Sequence, residues 1–91
     1  MERYLIEVPH EGTTTACNNA VRTFLQTGSH FLRQADWGCH DGVHKAWITV
    51  EVESKEQALQ IVPSLLRANA IITKLNSFKE FDIEKGEEAH S

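Results

Sequence analysis

Between Arg3 and Val8 polar and apolar side chains alternate, with Tyr4, Ile6 and Val8 on one side and Arg3, Leu5 and Glu7 on the other. A period of two puts successive side chains on opposite faces, so this stretch predicts a strand with one buried face. Pro9, unable to donate to a ladder, closes it. The period then changes. Cys17, Ala20, Val21, Phe24 and Leu25 fall on one stripe of a helix, with threonines before it as N-caps and Gly28 after it as C-cap. A second strand is expected over SHFLRQADW (29–37), ending in the turn-rich GCHDG. From Val43 to Glu53 the alternation returns, with His44, Ala46, Ile48, Val50 and Val52 on one face, which makes the two stretches a hairpin. Ser54 and Gln57 stand at capping-box spacing and open a second helix, in which Pro63 predicts a break or bend at Val62. AIITKLNSF (70–78) reads as a fourth strand, and FKEFDI (78–83) as its extension or a short edge strand.

The resulting order, β-α-β-β-α-β, is that of the ferredoxin-like α+β class, a four-stranded antiparallel sheet with two helices on one face. In element order and pattern, over about residues 3 to 78, the chain resembles the dimeric α+β barrel proteins of that class. The resemblance implies pairing through the sheet face that carries no helix. It also implies a range of activities, from small isomerases and decarboxylating or haem-degrading enzymes to metal- and ligand-binding proteins, so the fold alone does not select a function. One domain is expected over 1–83, followed by an acidic, flexible tail over 84–91.

Composition removes several classes. Charged residues make up 24% and apolar residues 41% of the 91 positions, which suits a globular domain and not a disordered or fibrous chain. The net charge is −4, and nine Lys plus Arg are scattered without a cluster, which disfavours nucleic-acid binding. No apolar run is long enough for a membrane span, and MERYLIEVPH lacks the basic start and apolar core of a secretory signal, so a cytoplasmic location is expected. Cys17 and Cys39 are too few for a disulfide framework and are expected to be reduced thiols.

The strand pattern sorts the remaining chemistry by face. Leu5, Trp47 and Thr49 fall on the face away from the helices, together with Lys45 and Glu51, and are the expected interface of a homodimer or larger homo-oligomer. At the sheet end, the close of the first strand adjoins the start of the third if the two are antiparallel. That places His10 beside His44, both on the helix side, with the hairpin tip Cys39-His40-Asp41 at the same end and Glu11 and Asp36 in reach. Imidazoles with a thiolate or carboxylate suit a divalent transition metal such as zinc, nickel or copper. The candidate ligands are His10, His44, His40, Cys39, Glu11 and Asp41. Adjacent Cys39 and His40 point apart in an extended chain, so one of the two is expected to bind unless the loop curls.

Other readings use the same end of the molecule. Helix amides at Thr13 and Thr14 favour an anionic group, and Tyr4, Trp37, Phe24 and Phe31 would wall a small-molecule pocket. A cofactor-independent isomerase or lyase would use His10 or His44 as general base, oriented by Asp36 or Glu11. A structural or interaction domain without a site is the plainest account. Cys39 as a redox thiol is disfavoured, because Cys17 is assigned to the helix's apolar stripe and no other cysteine is present to resolve it.

Overall fold

The computed structural model describes residues 1–27 and 29–78. Strand β1 (Glu2–Pro9) is followed by helix α1 (Thr14–Thr27), strand β2 (Asp36–Trp37), strand β3 (Lys45–Val52), helix α2 (Lys55–Ile61) and strand β4 (Ile71–Leu75), with short 3-10 turns at Leu32–Gln34, Cys39–Asp41 and Ser64–Asn69. The sheet order is β2-β3-β1-β4, and each neighbouring pair is antiparallel. This is the ferredoxin-like α+β arrangement that the element order predicts.

The alternation sets the core. Tyr4, Ile6 and Val8 of β1 pair with Val50, Ile48 and Ala46 of β3, and all six are buried on the helix side. With them pack Phe24 of α1, Leu32, Ala58 of α2 and Val62, and Ala20 of α1 is buried as well. The α1 stripe is narrower than its spacing implies: Leu25, one position round from Phe24, is 59% exposed. Consecutive helical residues are turned by about 100°, so only part of a five-residue stripe can meet the sheet. Thr13 caps α1, its hydroxyl accepting from the Ala16 amide at 3.0 Å. Gly28 lies outside the described residues.

Two expectations about strand length change. Residues 29–35 are not strand; Leu32–Gln34 form a 3-10 turn, and the Arg33, Gln34 and Ala35 amides donate to the Ser29, Phe31 and Leu32 carbonyls. The physical reason is burial spacing. Leu32 is buried and Ala35 packs against the core three positions on, a helical interval, whereas Phe31, Arg33 and Gln34 are exposed. Only Asp36 and Trp37 reach β3, opposite Trp47 and Ala46. Strand β4 is likewise shorter than 70–78, and residues 79–91, which hold most of the expected edge extension and the tail, lie outside the described residues.

Pro63 acts as its chemistry requires. Val62, which precedes it, is extended at ψ 131°, and the second helix divides there into α2 and the 3-10 turn Ser64–Asn69. Ser54 Oγ accepts from the Gln57 amide at 3.1 Å, while Gln57 Oε1 accepts from the Glu53 amide at 2.9 Å, a reciprocal cap displaced by one residue at its second bond.

On the helix-free face, Trp47 Nε1 donates to Glu7 Oε1 at 3.4 Å and Lys45 Nζ stands 3.5 Å from the same oxygen. Leu5 is half-buried there, Thr49 is exposed, and Ile71 of β4 is 48% exposed. Among the described residues no helix is long and apolar enough to cross a membrane.

Candidate metal centre

Antiparallel pairing of β1 with β3 ends at Pro9 opposite Lys45, and one further bond continues the ladder, from the His10 amide to the His44 carbonyl at 3.0 Å. The two histidines therefore face each other across the sheet end. Their rings meet edge to face with centroids 5.8 Å apart. After His10 the chain turns over the His44 ring so closely that a Cβ at Gly12 would stand 3.2 Å from His44 Cδ2. A glycine leaves the ring in place there.

Cys39 arrives from the hairpin between β2 and β3. Gly38 donates its amide to the Lys45 carbonyl at 3.1 Å, and its own carbonyl accepts from the Asp41 and Val43 amides, both at 3.0 Å. Those bonds curl Cys39–Asp41 into a 3-10 turn that Gly42 closes at φ 78°, a left-handed conformation that glycine adopts without strain. The curl turns the Cys39 thiol inward, 3.2 Å from His10 Nε2, and leaves His40 exposed.

One donor atom each from His10, Cys39 and His44 lie within 4.8 Å of one another. A tetrahedral zinc ion, with Zn–N of about 2.0–2.1 Å and Zn–S of about 2.3 Å, holds its ligand atoms roughly 3.3–3.6 Å apart. The Cys39–His10 distance of 3.2 Å is already close to that spacing. The three residues thus form a group able to hold a metal ion.

Two of the three donors, His10 and Cys39, are shifted toward their neutral forms. Burial, reinforced by the facing His44 imidazole, holds the pKa of His10 below 6.5, which keeps a lone pair on its ring at neutral pH. Burial, and then the hydrogen bond and charge of Cys17, push the Cys39 thiol up to about 11 against an opposing backbone hydrogen bond. The Nδ1 atoms of both His10 and His44 are buried with no hydrogen-bond partner among the described residues.

The remaining predicted site residues divide by position. His40 lines a cleft of about 230 Å³ with Gly12, Thr13, Thr14, Cys17, Cys39 and His44. Asp41 and Glu11 are exposed, and neither belongs to the three-residue group. Glu11 borders a separate hollow, together with Pro9 and His10, on the side toward Leu66. Tyr4 is 5% exposed inside the core and Phe24 1%. Phe31 lies beside His30 and Gln34, away from the cleft. Trp37 stands between core and site, 4.9 Å from the Phe24 ring and 6.0 Å from the His10 ring.

Cys17 is the residue whose place differs most from its sequence reading. Its sulfur is 2.6 Å from that of Cys39, so Cys39 does have a second thiol beside it. Position 17 is on the edge of the α1 stripe, half-buried, and the curled turn brings Cys39 up to it. The signal available in the sequence was that Cys17 lies in the first turn of a helix entered from the His10 loop.

Gly38 is the point on which this geometry turns. A Cβ there would lie 2.7 Å from Trp47 Cζ3 and 2.7 Å from the Val43 carbonyl oxygen. The indole could swing aside, but the carbonyl is fixed by the turn. Gly38→Ala is expected to destabilise the fold by about 1–3 kcal/mol, as overpacking does, and to displace Cys39 with the turn. Urea denaturation measures the loss; a change within about 0.5 kcal/mol, the range of neutral surface substitutions, would mean the turn is not held as described.

No family model matches the chain, and no match to it is found among curated proteins or solved structures.

Proposed function

We propose that this protein binds one divalent transition-metal ion through His10, Cys39 and His44, leaving a fourth coordination position open to the cleft beside His40. The observation that carries the reading is the convergence of two imidazoles and a thiol, from three separate segments, within 4.8 Å. The 3.2 Å approach of the Cys39 sulfur to His10 Nε2 supports it. Nitrogen and sulfur donors select zinc, copper, nickel or cobalt over magnesium and calcium, which require oxygen. Three protein ligands with an open position are the arrangement of zinc sites that present a water or a small anion to the cleft.

Cobalt titration of the reduced chain, followed by thiolate-to-metal absorption, is the direct test. One equivalent per chain is expected, with the band lost in Cys39→Ser, His10→Ala and His44→Ala and retained in His40→Ala and Asp41→Ala. No uptake by the unsubstituted chain ends the proposal.

The pH dependence has a definite sign. Cys39 must lose its proton to bind, and its pKa of about 11 keeps it protonated in the metal-free chain at neutral pH; His10, held below 6.5, carries no extra proton there. Binding between about pH 7 and 9 therefore releases one proton, and the apparent affinity rises about tenfold per pH unit. A flat profile would show that the thiolate is not a ligand.

A further inference from the structure

The proximity of Cys17 to Cys39 is not needed to hold a metal. Cys17 lies outside the His10, Cys39 and His44 group, yet its sulfur is in direct contact with the one thiol that the group contains, at 2.6 Å. Both cysteines are free thiols, half-buried, and both line the same open cleft, so a small reagent that enters the cleft meets them together. Their backbones belong to different elements, α1 and the turn after β2, and both positions are held by bonds independent of the sulfurs: the Cys17 amide donates to the Thr13 carbonyl at 3.0 Å, and the Cys39 carbonyl accepts from the Gly42 amide at 3.1 Å.

We propose that Cys17 and Cys39 form a reversible disulfide that withdraws Cys39 from the metal group, so that the site binds metal only in the reduced chain. This rests on the metal-binding reading above. The oxidant is a low-molecular-weight disulfide of the glutathione type. One cysteine thiolate attacks it, forming a mixed disulfide and expelling one small thiolate, which takes up a proton. The second cysteine then attacks the mixed disulfide at the protein sulfur and expels the second small thiolate. The two protein thiols give up two electrons and two protons in all, the small disulfide becomes two small thiols, and one sulfur–sulfur bond replaces another. A disulfide sulfur is not a thiolate, and thiolate is the form that binds metal. The oxidised chain keeps two imidazoles and loses the third donor. Coupling is reciprocal: an ion held on Cys39 occupies the sulfur that would otherwise react, so metal protects against oxidation by the factor by which oxidation weakens metal binding.

The test uses the full chain, metal-free and zinc-loaded, with oxidised glutathione as the probe. In the metal-free chain, thiol titration is expected to fall from two to none, with an intact mass lower by two hydrogens and no glutathione adduct. Zinc affinity of that oxidised chain is expected to fall by at least about a hundredfold, beyond the 10- to 100-fold that loss of a supporting contact alone costs, and to return with a reductant. Cys17→Ser is expected to keep zinc binding in the reduced form and to retain a glutathione adduct on Cys39 when oxidised. The gating proposal is overturned by a stable adduct on the unsubstituted chain in place of the internal disulfide, by unchanged zinc affinity after oxidation, or by loss of zinc binding in a folded Cys17→Ser chain, which would make Cys17 a ligand. If the reduced chain takes up no zinc at all, the metal reading fails and the gating with it, while the thiol titration still reports whether the disulfide forms.

Discussion

In saturating zinc the reduced chain is expected to melt on the order of 20 °C higher than in a chelator. A ligand that binds only the folded state at a thousand times its dissociation constant adds about 4.1 kcal/mol, and for a domain of this length each kcal/mol moves the midpoint by roughly 4–8 °C. The effect is large because the chain is small. A small domain buries a modest share of its surface, so one ion that tied three segments together would be a substantial part of its stability. The segments joined are the end of β1, the turn after β2 and the residue before β3, whose backbones meet through the His10–His44 and Gly38–Lys45 bonds and through the two-residue β2. Magnesium at the same concentration is expected to give no shift, since the group offers it no oxygen ligand. Calorimetry with zinc, magnesium and chelator decides the matter; coincident zinc and chelator curves would remove the metal reading.

How much of this site the sequence discloses depends on which physical rule places each residue. His10 and His44 are legible because strand geometry is regular: with β1 and β3 antiparallel, the last residue of one is beside the first of the other, and a period of two fixes the side to which both rings point. Cys39 is legible only as one of several residues at the tip. Its selection over His40 and Asp41 follows from the 3-10 curl that Gly38 and Gly42 permit, and neither glycine announces a turn type without its neighbours' bonds. Cys17 is misassigned for a third reason. An apolar stripe and the rim of a cleft share the same helical spacing, and Leu25, equally well spaced, turned out exposed. The break at Val62 is the opposite case, because Pro63 acts locally and needs no tertiary context. The over-long second strand shows the limit of composition: Ser29 to Ala35 hold residues acceptable in a strand, and the burial of Leu32 with Ala35 wins.

Phe24→Ala is expected to cost about 3–5 kcal/mol, more than the overpacking expected of Gly38→Ala. Phe24 is 1% exposed and heads the fully buried side chains by volume. Against a total of roughly 5–15 kcal/mol for a folded domain, that loss leaves the metal-free protein close to its unfolding midpoint. The urea midpoint is expected to fall with its slope unchanged, as it does when stability alone is altered. The site should feel the change as well, because the Phe24 ring lies 4.9 Å from that of Trp37, and the Trp37 ring lies 6.0 Å from that of His10. A cavity behind Trp37 lets the indole move, and with it the residue two positions before Cys39. Zinc affinity is thus expected to weaken without vanishing, since all three ligands remain, and zinc should recover part of the lost stability by mass action. His10→Ala makes the opposite pattern. It would remove a proposed ligand, so the zinc response is expected to disappear. The same change also removes a buried nitrogen that has no partner among the described residues, which offsets the packing it loses. Core and site are therefore separable by two variants: Phe24→Ala loses stability and keeps a response to zinc, whereas His10→Ala keeps most of the metal-free stability and loses the response. A Phe24→Ala chain that lost less than about 1 kcal/mol, below the cost of any fully buried aromatic, would show that the helix does not pack on the sheet through this ring.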